Sequence, residues 1–152
     1  MDIVRAVTQD SEILTEVTKK SKDHWGYGAA QIEAWGDALT VTKAYIEANN
    51  VYKLQDGQTI VGYYAYFNED AETVRLDNLF ILPGYIGQGL GKLLLEDFLE
   101  RIRNDGARTV TVHSDPNAEG FYRAFGFKTM GQKETSIKER YLPIMKLTFV
   151  NY

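Results

Sequence analysis

The 152-residue chain contains no cysteine. This excludes a disulfide framework, a thiol nucleophile and thiolate metal sites. Two histidines are too few for a histidine-based metal cluster, so no metal is expected. With only three prolines, and no Ser-rich stretch, long charge run or internal repeat, nothing in the chain reads as a linker. Positive charge is not in excess: 17 Lys and Arg face 21 Asp and Glu, and the net charge of −4 argues against nucleic acid as a partner. No apolar run approaches the ~18 residues of a membrane-spanning helix, so no membrane partner is expected. The opening Met1-Asp2-Ile3-Val4-Arg5 lacks the basic-then-apolar pattern of a secretion signal, and a cytoplasmic protein is expected. What remains is the composition of a globular chain, 44% hydrophobic and 25% charged, with the length of one domain over residues 1–152.

Hydrophobic periodicity divides the chain into alternating strands and helices. Ile3–Val7 reads as a strand. Thr8 or Asp10 then caps a helix to about Lys20, with Ile13, Leu14 and Val17 at helical spacing. The stretch Asp23-His24-Trp25-Gly26-Tyr27-Gly28 reads as a shaped loop. Short helices are expected at Ala29–Trp35 and Lys43–Ala48. Val51–Leu54 and Thr59–Phe67 form a hairpin turned at Asp56-Gly57. Glu72–Leu82 is a third strand of that region. A helix to Asn104 follows, with Leu95, Phe98, Leu99 and Ile102 as its buried stripe and Gly106 as its stop. Thr109–His113 is a strand. Asp115-Pro116 opens a helix that carries Phe121, Tyr122 and Phe125 and stops at Gly126. Phe127–Lys133 and Ile144–Val150 close the fold. The order β-α-α-β-β-β-α-β-α-β-β is mixed α/β (α+β) with hairpins, not a regular βα alternation.

Two stretches carry chemistry. In Pro83-Gly84-Tyr85-Ile86-Gly87-Gln88-Gly89-Leu90-Gly91-Lys92, four glycines join an apolar strand to an amphipathic helix. Glycine lets a ligand approach the backbone, and a helix N-terminus offers unpaired amides and partial positive charge, so the segment predicts an anion site with Lys92 as an added charge. It is not a P-loop, because position 86 is Ile and position 93 is Leu. Nor is it a dinucleotide fingerprint, because position 92 is Lys. In the second stretch, Asp115 to Phe127, Gly120 inside a short helix costs about 1 kcal/mol against Ala, which predicts close packing there. Asn117 lies in the first turn.

On these two stretches the chain resembles the GNAT superfamily of acyl-CoA-dependent N-acyltransferases, in order from about Asp77 to Phe127. The resemblance implies a mostly antiparallel central sheet flanked by helices. It further implies acetyl-CoA as co-substrate, with the pyrophosphate on the amides of Gly87, Gln88, Gly89, Leu90, Gly91 and Lys92. Asn117 would contact the pantetheine arm, and Phe80, Ile81, Leu82 and Phe121 would complete the cofactor contacts. The family's Gln or Arg at the loop's first position is Ile86 here, which implies weaker or differently shaped phosphate binding. Dimers are common in the family, so a homodimer is a possible partner state.

Acyl transfer to an amine requires a neutral amine, donors for the carbonyl oxygen, a proton for the leaving thiolate and close placement of both substrates. The resemblance assigns Tyr122 as the acid. The carbonyl donor is expected on the strand Leu79–Leu82, where Val74 and Leu76 are out of phase with Leu79 and Ile81, as a bulge would make them. Asp77 and His113 are candidate bases, or else a strand-edge acid and a sheet histidine. His24, Trp25 and Tyr27 are candidate contacts for the acceptor, a small-molecule or peptide amine. Trp35, Tyr63, Tyr64 and Tyr66 read as core aromatics. Glu69, Asp70 and Glu72 are either a greeting point for an amine or a solvated turn. The function expected is acetyl transfer from acetyl-CoA to a primary amine through a ternary complex. The alternatives are a non-catalytic acyl-CoA-binding module and a nucleotide-binding protein.

Overall fold

A computed structural model describes residues 1–27, 29–134 and 141–149. Gly28 of the aromatic loop and Val150 of the closing strand lie outside the described residues. The elements are β1 (Asp2–Arg5), α1 (Ser11–His24), α2 (Ala29–Ala34), α3 (Gly36–Leu39), α4 (Lys43–Ala48), β2 (Asn50–Asp56), β3 (Thr59–Asn68), β4 (Thr73–Ile81), α5 (Leu90–Asn104), β5 (Thr109–His113), α6 (Glu119–Ala124), β6 (Lys128–Glu134) and β7 (Tyr141–Thr148). The seven strands are ordered β1-β2-β3-β4-β5-β7-β6. The β4–β5 pair is parallel, and β1–β2, β2–β3, β5–β7 and β6–β7 are antiparallel. Among the described residues no helix is long and apolar enough to cross a membrane.

The chain packs as two compact units. The first comprises Met1–Tyr66 and Asn78–Glu100, the second Phe67–Asp77 and Arg101–Tyr152. In the first, strand β3 is covered on both faces, as its aromatic run predicts. Tyr63 and Ala65 join a core of Ala6, Leu14, Val17, Val41, Ile46, Val51 and Ile60, against which Tyr45, Phe80 and Leu82 pack. The Tyr63 hydroxyl lies 2.5 Å from Thr18 Oγ1 of α1. Tyr64 and Tyr66 meet Phe98 of α5 at 5.4 and 5.3 Å between ring centroids, and the Tyr64 hydroxyl donates to Asp97 at 2.7 Å. Helix α5 buries Leu90, Leu94, Leu95, Phe98 and Ile102. Its stripe therefore runs through Leu94, while the expected Leu99 is only half-buried.

Asp10 precedes α1 but does not cap it. Its carboxylate instead accepts from the Val7 amide and from Lys53 Nζ, both at 2.9 Å. The ion pair is nearly buried and ties β2 to the turn before α1. A close approach occurs at Gly62: a Cβ there would lie 2.6 Å from Ile81 Cδ1 and 2.7 Å from the Phe80 carbonyl oxygen. Strands β3 and β4 meet at this point with no room for a side chain.

In the second unit the parallel ladder runs from Thr73–Thr109 to Leu76–Val112. Val74, Leu76, Val110, Val112 and Met145 are buried. Strand β4 continues past the ladder to Ile81, which is also buried and out of phase with Val74 and Leu76. Strand β6 shifts register between Thr129 and Gly131. Gly106 and Gly126 stop their helices with φ of 94° and 95°.

Candidate active site

The glycine segment follows from local backbone rules. The Leu82 amide donates to the Val61 carbonyl at 2.8 Å, and Pro83–Tyr85 then form one 3₁₀ turn. Gly87 and Gly89 take φ of 88° and 77°, a region L side chains rarely enter. A Cβ at either would meet nothing within 4 Å, so their backbone faces open space. Helix α5 starts immediately, with the Leu93 amide donating to the Gly89 carbonyl at 3.0 Å. The amides of Leu90, Gly91 and Lys92 thus have no intrahelical acceptor, and they sit at the positive end of a 15-residue dipole. Lys92 is exposed and only loosely held, 3.8 Å from Glu96. The Ile86 side chain is exposed.

The aromatic segment differs from expectation. Helix α1 continues through Lys22, Asp23 and His24, so His24 is a helical residue and not part of the loop. Gly26 closes the helix with φ of 84° and donates its amide to the Asp23 carbonyl at 3.0 Å. The apolar periodicity ends near Val17, whereas the hydrogen-bonded helix runs on as a polar turn. His24 and Trp25 are exposed and in edge contact at 5.0 Å. Tyr27 is half-buried against Trp35 at 5.0 Å. Trp35 itself lies just past α2, and α3 is a further turn that the sequence pattern did not announce. Lys22 Nζ lies 5.8 Å from the Tyr27 ring centroid and 5.6 Å from that of Phe80. Asn78 on β4 donates to the Tyr45 hydroxyl at 3.2 Å. Lys22, Tyr45 and Asn78 had no motif to mark them.

The second unit carries the remaining candidates. The Asp115 carboxylate accepts from both the backbone and the side-chain amide of Asn117, each at 2.9 Å. This holds Asn117, exposed, in a 3₁₀ turn ahead of α6, one turn earlier than expected. A Cβ at Gly120 would meet nothing within 4 Å, which corrects the expected close packing. Helix α6 is only six residues long, and this position faces outward. Tyr122 is buried, its ring 5.2 Å from Phe121 and 5.4 Å from Phe127. Burial, and secondarily the Asp115 carboxylate, raises the phenol well above its ordinary pKa. Among the described residues, nothing hydrogen-bonds the Tyr122 hydroxyl.

His113 Nδ1 lies 3.3 Å from Arg75 Nη1. A guanidinium only donates, so Nδ1 accepts and the neutral ring carries its proton on Nε2. Burial lowers the imidazole pKa, Arg75 and Lys133 lower it further, and Glu69 and Asp77 oppose them. Asp77 is exposed, at the end of the parallel ladder. The acidic turn is spent on local bonds. Glu69 accepts from Arg75 at 2.6 Å and from Thr111 at 2.7 Å. The Thr111 hydrogen bond and the Arg75 guanidinium hold its carboxyl below the usual range against desolvation. Asp70 accepts from the amides of Glu72 and Thr73. The structure therefore groups the candidates in two sets. The glycine loop, Phe80, Ile81, Leu82, His24, Trp25 and Tyr27 lie in the first unit; Asp77, His113, Asn117, Phe121 and Tyr122 lie in the second.

Residues 17–148 match the family model described as an acetyltransferase (GNAT) domain. A peptidyl-lysine N-acetyltransferase, YjaB, from Salmonella typhimurium is 35% identical over 74 residues, 49% of this chain and 50% of that protein. An uncharacterised N-acetyltransferase, ycf52, from Gracilaria tenuistipitata var. liui is 24% identical over 91 residues, 60% of this chain and 50% of its own length. The chain thus spans about half the length of these curated relatives. Among solved structures, the PaiA N-acetyltransferase of Thermoplasma acidophilum in complex with coenzyme A aligns with a TM-score of 0.81 at 20% identity, covering 97% of this chain and 98% of that one. The acetyltransferase YncA of Salmonella typhimurium, with acetyl-CoA, aligns at 0.72 and 20% identity, covering 100% and 95%.

Proposed function

The chain belongs to the GNAT acetyltransferase family, and we propose that it moves an acetyl group from acetyl-CoA to a primary amine by direct attack in a ternary complex. The observation that carries this reading is the turn Gly87–Gly89 opening onto the N-terminus of α5. A pyrophosphate is the anion that such a row of amides suits, with Lys92 as a mobile counter-charge. Asn117, pre-oriented by Asp115, is assigned to the pantetheine amides. Phe80, Ile81, Leu82 and Phe121 are assigned to the rest of the donor. The CoA and acetyl-CoA held by the Thermoplasma and Salmonella proteins support the donor. The name of the Salmonella peptidyl-lysine enzyme supports an amine acceptor. Small-molecule and peptide amines both fit, with His24, Trp25 and Tyr27 as acceptor contacts.

The proposed chemistry is that of an unactivated amine and a thioester. The amine nitrogen attacks the carbonyl carbon, the C–S bond breaks, and one amine proton leaves. Asp77, whose side chain is exposed, is assigned to take that proton through water. His113, protonated on Nε2, serves as a hydrogen-bond donor beside it. Tyr122 is assigned to the leaving sulfur as its general acid: burial raises the phenol above its ordinary range and keeps it protonated until the thiolate forms. It gives its proton to the sulfur and regains one from solvent. Calorimetric titration with acetyl-CoA, with ATP as control, tests the reading. Acetyl-CoA binding without ATP binding is expected, followed by turnover in an amine panel. Absence of acetyl-CoA binding overturns it.

A further inference from the structure

We propose that Lys22 is an acceptor for the protein's own acetyl transfer, a modification site built into the end of α1. The inference rests on the proposed function and names one substrate of the same site. Lys22 does not trail into solvent: it is half-buried, with its ammonium over two aromatic rings, 5.8 Å from the centroid of Tyr27 and 5.6 Å from that of Phe80. Each ring offers its negative face to a cation. The two rings have different origins. Tyr27 belongs to the segment assigned to the acceptor amine. Phe80 lies on β4, in the stretch Phe80–Leu82 assigned to the donor. Its ring also rests 5.9 Å from Tyr63, whose hydroxyl is anchored to Thr18 on α1. The same helix therefore carries the lysine and bonds the tyrosine that packs against the Phe80 ring. A primary alkylamine is thus held against both the acceptor and the donor segments of one packed unit, at the effective concentration of an intramolecular group.

The step balances without a further reactant. The Lys22 ammonium gives one proton to solvent, and the free amine attacks the thioester carbonyl. The N–C bond forms, the C–S bond breaks, and the second amine proton passes to the medium as the thiolate is protonated. The products are acetyl-Lys22 and CoA. Acetylation removes the charge and with it both cation–π contacts.

The test is incubation of the intact chain with acetyl-CoA, followed by intact-mass and peptide-mapping mass spectrometry. In parallel, acetyl-CoA binding is measured by calorimetry, and an amine panel is assayed for turnover. The expected result is one acetyl group on Lys22, added at a rate per molecule that does not change when the protein is diluted. Lys22→Arg keeps the charge over the rings and abolishes the mark without lowering the melting temperature. Gly89→Val, which places a β-branched residue at φ of 77°, blocks donor binding and slows the mark at least tenfold. Three results overturn the inference while leaving the acetyltransferase reading in place: acetyl groups spread evenly over the other lysines, a rate proportional to protein concentration, or turnover of panel amines with Lys22 unmarked. A mark that forms equally fast in Gly89→Val is uncatalysed and also overturns it. Failure to bind acetyl-CoA removes the acetyltransferase reading itself, and the inference with it.

Discussion

Gly62→Ala adds one methyl group where β3 and β4 touch. Its Cβ would lie 2.6 Å from Ile81 Cδ1 and 2.7 Å from the Phe80 carbonyl oxygen, against 3.4 Å for ordinary contact. The Ile81 methyl ends a flexible side chain and can turn away. The carbonyl is backbone, and the neighbouring Leu82 amide is bonded to Val61 at 2.8 Å, so it cannot. The strands must part by about 0.7 Å beside a core that holds Tyr63 and Ile60. Overpacking of this kind costs about 1–3 kcal/mol, and replacing glycine returns up to about 1 kcal/mol through the unfolded chain. The net is a loss of about 1–2 kcal/mol, or roughly 2–8 °C in melting temperature for a domain of this size. Scanning calorimetry of Gly62→Ala beside Gly36→Ala checks the sign. Gly36 sits in a helix with nothing within 4 Å of its Cβ position, so Gly36→Ala is neutral or stabilising. Acetyl-CoA affinity should fall in Gly62→Ala alone, because the displaced carbonyl belongs to the proposed donor strand. A Gly62→Ala protein that melts at or above the wild-type temperature would refute the argument from close approach.

Tyr122→Phe should leave acetyl-CoA affinity near wild type, lower kcat about 10²-fold or more, and leave stability unchanged or slightly raised, since the buried hydroxyl it removes has no hydrogen-bond partner among the described residues; calorimetry and steady-state kinetics read these effects separately. Asp10→Ala strands the nearly buried Lys53 ammonium and frees the Val7 amide, which should cost about 3 kcal/mol by urea denaturation, with Lys53→Met on the same background recovering part of it. Phe98→Ala opens a cavity under Tyr64 and Tyr66 and should cost about 3–5 kcal/mol in the same assay. For His113, burial and Arg75 hold the folded pKa below the unfolded value of about 6.5. The unfolded chain therefore binds a proton that the folded chain refuses, and stability falls as pH drops from about 6.5 through the folded value. Urea midpoints between pH 5 and 8 should show that limb flattened in His113→Gln.

Those elements whose pattern is local were legible in the sequence. Helix α5 shows an apolar stripe, a glycine start and a glycine stop, and its bounds match the reading at Asn104 and Gly106. The strand Thr109–His113 was readable for the same reason. Gly62 was not. In the sequence it is one small residue in an aromatic strand, and only the arrival of Phe80 and Ile81 from β4 makes it obligatory. Asp10 was misread as a cap because a carboxylate before a helix has several outlets, and this one turns back to the Val7 amide and across to Lys53 instead of forward to the amides of α1. His24 was misread because helical hydrogen bonding outlasts hydrophobic periodicity once a helix turns its last polar face to water.

The same division applies to the site. The proposed donor side is made of backbone: two left-handed glycines and a helix N-terminus would receive a pyrophosphate that is the same for every acyl-CoA, so the requirement leaves a short, contiguous signature. The proposed acceptor side draws on side chains from separate elements. Lys22 from α1 meets Tyr27 beyond it and Phe80 from β4, and Tyr45 from α4 meets Asn78 from β4 across a sequence separation of 33 residues. No periodicity or spacing records such a meeting. An amine is recognised by charge and ring faces that many arrangements can supply, so the acceptor places no fixed demand on the backbone. The family was therefore readable from one glycine segment and one tyrosine helix. The amine proposed as acceptor would be chosen by contacts that exist only after folding, and Lys22 with its two rings is the first of these to test.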